Sequence, residues 1–435
     1  MAAPINPPRG MRDFLPAEKA RRERVLAVIR ASYRDHGFDE IETPVMEEAS
    51  RLHAGLGGDN EKLAFAIMKR GLTAESLKSA KEPLELADLG LRFDLTVPLA
   101  RFYATHRAAL PGVFRAIQIA PVWRAERPQQ GRYRQFVQCD IDIIGEAGPL
   151  AEVELITATA STLKALGLDG WSIRINDRRL LTGMLEVFGF PGETHDAALI
   201  TMDKLDKIGP DGVVAELRER GMPDPAVAAL QAFLLRPQTL EALPFGEAAI
   251  RKALPEGLDD TVIAQLAAIG QAAEAVHGAE LVQFDPWLVR GMGYYTGPIF
   301  EVAHASLGYS LGGGGRYDGM IGRFLGTEVP ATGFSLGFER LVDLVHLDDD
   351  GPAGSAVLLH DPDAVAADLV AVQSRLIASG LRVRLERRPK KVAAALERLA
   401  EAGFDHFAML SAADAAQHAA SGTAPELRHI AATAH

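Results

Sequence analysis

Two alternating runs flanking a charged loop constrain this chain more than any other feature. The runs are VFRAIQIAPVWR and QFVQCDIDII, and the loop between them is RAERPQQGRYR. Runs of this kind, joined by a polar segment with glycine, predict two long antiparallel strands, a β-hairpin. Side chains alternate faces along a strand with period two. Phe136, Gln138, Asp140 and Asp142 therefore share one face, and Val137, Cys139, Ile141 and Ile143 the other. The second face is core. The first carries two carboxylates and an amide, so it is either a solvated sheet face or the floor of a ligand site. The loop adds weight to the floor: Arg124, Arg127, Arg132 and Arg134 stand there against one acid, Glu126. Guanidinium is always charged and binds phosphate oxygens bidentately, although an arginine-rich turn standing alone is more often simply solvated.

The rest of the chain supplies a frame for that hairpin. Near the start, Val25, Leu26, Ile29 and Tyr33 recur at helical spacing after Pro16 and Glu18, and Gly37 ends the pattern. DEIETPVME then reads as one strand that meets Pro44. From about 150 to 275 the sequence is rich in Ala and Leu and reads as helical, broken by GFPGE, GPDG and RPQTLEALPFG. It reads as an insertion with its own helices. Strand-like sequence returns at LVRGMGYYTGPIFEVAHA, then LGGGGRYDGM and VPATGFSLGFERLVDLV. DDDGPAG at 348–354 is a linker by composition. Beyond it, strand–helix–strand–helix–strand predicts a small parallel α/β domain, with Val392, Leu396 and Leu399 marking one helix face. After Leu410 no element is assigned.

Composition excludes several classes. The chain has 435 residues, enough for two or three domains and sizeable cores. Its formal net charge of −12 argues against a protein that coats nucleic acid over its whole surface, while leaving room for a local basic patch. Cys139 is the single cysteine, so neither a disulfide scaffold nor a Cys-pair zinc site can form. The start, MAAPINPPRGMRD, has no apolar core of a secretory signal, and no run of about 18 apolar residues could span a bilayer. A cytoplasmic protein without a membrane segment is expected.

Three further clusters could carry chemistry. In RGMGYYTG, Arg290 stands just ahead of Tyr294 and Tyr295. In GGGGRYDG, four glycines allow close approach of the backbone to a ligand or another strand. That stretch is no P-loop, since no Gly-Lys-Ser/Thr follows, and no G-x-G-x-x-G in a βαβ unit. GFSLGFERL runs a glycine-rich strand into a helix with Glu339 and Arg340. Each is weak alone.

Together, in this order, they resemble a known family. FRAIQIAPVWRAERPQQGRYRQFVQCDIDIIG resembles motif 2 of the class II aminoacyl-tRNA synthetases, GFSLGFERL motif 3, and GFDEIETPVME the proline-bearing motif 1. LRFDLTVPLARF and LVRGMGYYTGPIFE resemble the two segments that single out the histidyl-tRNA synthetases. The DLT form, GGDNEKLAFAIMKRG and MDKLDKIG resemble the eukaryote- and archaea-like branch. The resemblance covers residues 9 to 345. It implies an α+β fold: an antiparallel sheet flanked by helices, a helical insertion and a small C-terminal α/β domain. The implied boundaries are 1–176 (core with motifs 1 and 2), 177–270 (insertion), 271–347 (core with the histidine segment and motif 3), 348–354 (linker) and 355–435 (an anticodon-binding-like domain).

Site roles follow from the same resemblance. Asp94 and Thr96 would hold histidine, with Asp94 and Gln138 facing its ammonium. Asp142 with Tyr295 would grip the imidazole, and Tyr294 and Tyr317 would close the pocket. Arg124 would touch the histidine carboxylate and the α-phosphate of ATP, and Arg132 the β- and γ-phosphates. Phe136 and Arg340 would sandwich the adenine. Arg290 would border the bound histidine and stabilise the charge that builds on the α-phosphate, making Arg290 and Arg124 the catalytic pair. Mg²⁺ would arrive with ATP, with Glu126 a candidate partner; no zinc and no organic cofactor is implied. The implied partners are L-histidine, ATP, tRNA(His) and a second copy of the chain.

Two departures and two alternatives accompany this reading. Gly293 stands where many members carry an acid. The tail after FAML lacks the family's glycine–acid turn and its final Lys-containing strand, although Arg382 to Arg398 holds seven basic and two acidic residues (7 − 2 = +5), suited to an RNA backbone. The alternatives are a paralogue that senses histidine as regulatory subunit of ATP phosphoribosyltransferase, and an adenylate-forming enzyme with a non-tRNA acceptor. Paralogues of the first kind typically lack the tail domain and the arginine before the tyrosines, both present here.

Overall fold

The computed structural model describes residues 5–53, 63–128, 131–236, 245–278, 280–290, 293–347 and 354–430. Its strands, in chain order, are β1 (Asp39–Glu40), β2 (Met46–Glu48), β3 (Phe65–Met68), β4 (Ala87–Leu91), β5 (Phe114–Trp123), β6 (Gln135–Ile144), β7 (Trp171–Asp177), β8 (Val282–Phe284), β9 (Pro298–His304), β10 (Gly312–Arg316), β11 (Ala331–Gly337), β12 (Ser355–His360), β13 (Arg382–Arg387), β14 (His406–Leu410) and β15 (Arg428–His429). Two compact units form. One holds the described residues up to Asp13 and from Val25 to His346; the other holds Phe14–Arg24 and the described residues from Leu347 onward.

The first unit is organised by an eight-stranded sheet of order β1-β5-β6-β11-β10-β9-β7-β8. The expected hairpin is there: β5 and β6 pair antiparallel from Phe114↔Ile144 to Trp123↔Gln135. Its core face is fully buried at Cys139, Ile141 and Ile143, each isoleucine contributing about 1.5–3 kcal/mol through burial. Across the middle of the sheet, Gly314 of β10 lies between Phe300 and Phe334 in register. The two rings stack over it at 5.6 Å with planes 7° apart. A Cβ at Gly314 would lie 1.9 Å from the Gly333 carbonyl oxygen, so only glycine lets these strands pair.

Two local expectations are corrected, and one unassigned stretch gains its elements. DEIETPVME is not one strand: β1 pairs parallel with β5, whereas β2 joins β3 and β4 in a separate three-stranded sheet. Pro44 lacks an N–H for a ladder, and the Thr43 and Pro44 carbonyls accept from the buried Arg92 guanidinium at 2.8 and 3.3 Å instead. The stretch 150–275 is not helical throughout. WSIRIND forms β7, which pairs with β9 and β8, because its alternate residues Trp171, Ile173 and Ile175 are buried. The helices Arg178–Phe188, His195–Met202, Leu205–Glu219, Asp224–Leu234, Glu247–Ala253 and Asp260–His277 follow between β7 and β8. The segment after Leu410 forms the helix Ala412–Ser421, opened by a Ser411/Asp414 capping box and ended by left-handed Gly422, and then β15.

The second unit carries a four-stranded sheet, β13-β12-β14-β15, with β12 parallel to both β13 and β14. The helices Ala366–Ala378 and Val392–Glu401 intervene, and Leu358, Val372, Leu376 and Leu410 pack into one cluster. The expected strand–helix–strand–helix–strand order is observed. Of the linker expected at 348–354, residues 348–353 lie outside the described residues, as do Gly291 and Met292 of the tyrosine segment, 57–62 of GGDNEKLAFAIMKRG and the last five residues of the chain.

Candidate active site

The site is laid out by strand register. On β6, Gln138, Asp140 and Asp142 point to one face, and the residues opposite them on β11 are Gly337, Ser335 and Gly333. On β5 their partners are Ala120, Gln118 and Ala116. Except at Gln118 the flanking residues are small, and all three polar groups are buried. A Cβ at Gly333 would lie 2.0 Å from Asp142 Oδ1. The floor is therefore an enclosed pocket wall rather than a solvated face.

Two acceptor atoms in this wall have no partner among the described residues. Asp94 sits ahead of the helix Thr96–His106, and its Oδ1 accepts the Val97 N–H at 3.2 Å while Oδ2 is buried and unpaired. The amide of Gln138 donates to Ser335 Oγ at 2.9 Å and to Asp140 at 3.3 Å, leaving its Oε1 buried and unpaired. An unsatisfied buried acceptor costs about 1–3 kcal/mol, so both atoms are poised for a donor that arrives from outside. Burial raises the Asp94 pKa to about 6 against the pull of the Val97 N–H and Arg124. Asp142 is raised to about 7, again by burial, partly offset by the Tyr317 hydroxyl and reinforced by Asp94. Asp140 is pushed well above the carboxylate range by burial and by Asp142. Three acids crowded in low dielectric, offset only in part by Arg124 and still held above their ordinary range, favour a cationic ligand.

The aromatic side of the pocket is Tyr294, Tyr295 and Tyr317, all buried. Tyr294 meets Tyr295 edge-on at 4.8 Å and Tyr317 at 6.2 Å. The phenol donating to Asp142 is that of Tyr317, at 2.5 Å. The reason is positional: Tyr317 follows β10 directly, next to the register pair Gly315↔Gly333 and so beside Asp142. Tyr295 packs instead against Gly315, where a Cβ would come within 2.9 Å of its ring. Thr96 is within hydrogen-bonding reach of Tyr294.

A field of guanidiniums completes the site. Arg124 donates from Nε to the Phe93 carbonyl at 3.0 Å and lies 5.0 Å above the Phe136 ring. Arg132 pairs with Glu126 at 3.2 Å. Arg340 lies 4.8 Å over Tyr309 and donates to the Ser310 carbonyl at 2.5 Å. Its pKa is lowered by burial and then by Arg132, Arg290 and Arg124, which places the four cations in one field. Arg290 donates to Glu301 at 2.6 Å, and its Nε is buried without a partner among the described residues. Burial opposes its charge, but Glu301, Tyr295 and Asp203 outweigh that and hold its pKa above the ordinary value. Glu339 ties motif 3 to the hairpin and the N-terminal segment: it accepts from the Val137 N–H at 3.2 Å and from Arg12 at 2.6 Å. Among the described residues no group of His, Cys, Asp or Glu is placed to hold a metal ion by itself. No described helix is long and apolar enough to cross a membrane.

Sequence reasoning places Asp140 on the floor and Gly313 in the glycine cluster without a role for either, and gives no place in the site to Ser335, Glu301 or Gly333. The signal for some was present: Gly333, Ser335 and Gly337 alternate with Phe334 and Leu336, a small-large pattern that opens one face only.

A mostly antiparallel sheet with an acid-lined pocket beside a cluster of arginines is the catalytic arrangement of a class II aminoacyl-tRNA synthetase. The histidyl-tRNA synthetase family profile matches residues 10–341. The chain belongs to the histidyl-tRNA synthetase family. It is 60% identical over 418 residues to the histidine–tRNA ligase of Leifsonia xyli subsp. xyli, covering 95% of this chain and 96% of that one. It is 44% identical over 420 residues to the probable histidine–tRNA ligase of Tropheryma whipplei, covering 93% and 96%. The fold is also that of histidyl-tRNA synthetase from Nostoc sp. PCC 7120, with a TM-score of 0.73 at 24% identity over 98% of this chain and 97% of that one.

Proposed function

We propose that this chain works as a histidine–tRNA ligase, activating L-histidine with ATP and passing the histidyl group to tRNA(His). The observation that carries the histidine half is the pair of unpartnered buried oxygens, Asp94 Oδ2 and Gln138 Oε1, beside Asp142. An ammonium supplies the missing donors. An imidazole N–H supplies one more to Asp142, and an apolar isostere would leave that buried carboxylate with the Tyr317 phenol but without the ligand's donor. The Asp142–Tyr317 hydrogen bond keeps the carboxylate aimed, and Tyr294, Tyr295 and Thr96 complete the enclosure.

In the proposed reaction a histidine carboxylate oxygen attacks the α-phosphorus of ATP in line, and pyrophosphate leaves. No general base is required because that carboxylate is already ionised at neutral pH. Catalysis is then positioning plus electrostatics. Arg124 bridges the histidine carboxylate and the α-phosphate, Arg290 neutralises the charge that grows on the α-phosphate, and Arg132 meets the β- and γ-phosphates. Phe136 and Arg340 hold the adenine. Mg²⁺ bound with ATP would neutralise phosphate charge, and Glu126, which pairs with Arg132 at 3.2 Å, is the loop carboxylate that would face it. In the second step the ribose hydroxyl at the end of tRNA takes the histidyl group from the adenylate.

The domain reading goes with this function: 177–270 as a helical insertion, 355–435 as the anticodon-binding-like domain with Arg382 to Arg398 facing RNA, and two copies joined through the motif 1 region. The experiment is histidine-dependent ATP–pyrophosphate exchange followed by charging of tRNA(His) with purified protein. Both activities are expected. Absence of exchange would favour the histidine-sensing reading, and exchange without charging a different acceptor.

A further inference from the structure

Arg290 is held by a device that runs across the sheet. Register places Arg174 of β7, Glu301 of β9, Gly313 of β10, Ser335 of β11 and Asp140 of β6 side by side on the face that carries the pocket. In the centre of that row Gly313 has no side chain. A Cβ there would lie 2.6 Å from Arg290 Cζ and 2.7 Å from Nη2, so the guanidinium lies in the gap, close against the β10 backbone. Glu301, its neighbour in the row, accepts from Nη1 at 2.6 Å. Arg174 is taken up separately, donating to Asp285 at 3.4 Å, so the Glu301 carboxylate is left to Arg290. Behind the pair lies a cavity of about 60 Å³ lined by Glu301, Arg174, Asp285, Trp287 and, from the helical stretch after β7, Asp203 and Asp206.

We propose that Glu301 is a positioning residue for the reaction: it clamps one terminal nitrogen of Arg290 over the Gly313 gap so that the remaining donors face the α-phosphate. This rests on the reading of Arg290 as the α-phosphate stabiliser. Three observations converge on it. Glu301 engages only Nη1, so the hydrogen bond fixes the plane of the fork without consuming the donors needed for phosphate. Nε is already desolvated and unpaired, which makes it a donor awaiting an acceptor. Strand β9 is interior to the sheet, so the clamp sits on a rigid element, whereas Arg290 itself comes from the segment between β8 and β9. An arginine on a connecting segment, free to sample its rotamers, would lose much of the advantage of preorganisation.

The test is a double-mutant cycle on the full chain, read by pyrophosphate exchange, with histidine affinity and thermal unfolding measured alongside. Glu301→Gln is expected to lower kcat about 10- to 100-fold, the scale of one charge-assisted hydrogen bond. The dissociation constant of histidine measured without ATP should change less than about 2-fold, because Glu301 contacts none of the acceptors proposed to hold histidine, Asp94, Gln138 and Asp142. Glu301→Asp, which keeps the charge, should recover part of the loss. In the Arg290→Ala background Glu301→Gln should cost nothing further, since there is nothing left to position. A wild-type kcat in Glu301→Gln, or losses that multiply in the double variant, would overturn the proposal. Near-wild-type turnover in Arg290→Ala would instead sink the underlying assignment of Arg290, so the two failures are distinct. Should Glu301→Gln unfold early, Glu301→Asp decides the matter on its own: a kcat loss that vanishes in the Arg290→Ala background supports the clamp, and one that persists refutes it.

Discussion

Strands β6 and β13 both carry charge, and they treat it in opposite ways. On β6 the acids Asp140 and Asp142 are buried and crowded, and the neighbouring Gln138 and Asp94 each keep an unpaired oxygen. On β13 and the segment after it, Arg382, Arg384, Arg387, Arg388, Lys390 and Lys391 are exposed. The guanidinium carbons of Arg382 and Arg384 lie 4.4 and 4.5 Å from the Phe404 ring centroid, a cation–π arrangement on residues that remain exposed. A buried acid costs folding free energy until a ligand completes it, whereas a solvated cation costs almost nothing and attracts at long range. The first arrangement selects one small molecule by complementarity. The second suits a large polyanion, recognised through a screened field.

If that contrast is right, substitutions in the two regions should differ in size and in kind. The largest effect belongs to Arg290→Ala, which should slow adenylate formation on the order of 10³-fold, read by single-turnover ATP consumption, with histidine still bound. Next comes Asp94→Asn. Histidine affinity should fall roughly 10²-fold by calorimetry, because the ammonium loses its anion. The same variant should be more stable without ligand, by on the order of 2 kcal/mol at pH 8, since a carboxylate with its pKa raised to about 6 is no longer forced to ionise inside the fold.

The pH dependence sharpens the same point. Asp94 and Asp142 have folded pKa values above their unfolded ones, so the fold binds protons more tightly than the unfolded chain does. Their contribution to stability is fully present below about pH 4 and is lost as pH rises toward about 7. Denaturant titrations of the ligand-free protein should show this component falling from about pH 4.5 to about pH 7.5, with Asp94→Asn flattening the slope. A component that rises instead would place a cation against these acids. The smallest effect is expected at the second unit. Changing Arg387, Lys390 and Lys391 to Gln should weaken tRNA binding a few-fold and make its salt dependence shallower, by roughly 0.7–0.9 in log–log slope for each phosphate no longer neutralised. Pyrophosphate exchange without tRNA should not respond.

How far these regions could be read in advance follows from what builds them. The hairpin was legible because its alternation is strict over both strands, and the α/β tail because its helices and strands are short and well punctuated. β7 was hidden among alanine- and leucine-rich helices, where the short stretch WSIRIND is too brief to stand out. β1 and β2 were merged because DEIETPVME gives no hint that Arg92, far along the chain, takes the carbonyls at the break. The residues of the pocket were found where chemistry shows in a side chain, as with Asp142 or Arg290. Partners escaped where the role depends on register: nothing in the sequence says that Glu301 faces a gap at Gly313, or that Tyr317 reaches Asp142.

One wall of the pocket is bounded by main chain alone. Gly313, Gly315 and Gly333 back Arg290, Tyr295 and Asp142, and in each case a single added carbon would fall within 3 Å of its neighbour. Most binding sites can be retuned by degrees, trading serine for threonine or valine for isoleucine. Here the dial has no finer setting: hydrogen is already the smallest substituent, so the chamber cannot be enlarged on that side, and the least possible reduction overshoots. A lineage carrying this strand can alter how it treats its amino acid elsewhere in the pocket, but it has no gradual path along this wall to a bulkier one.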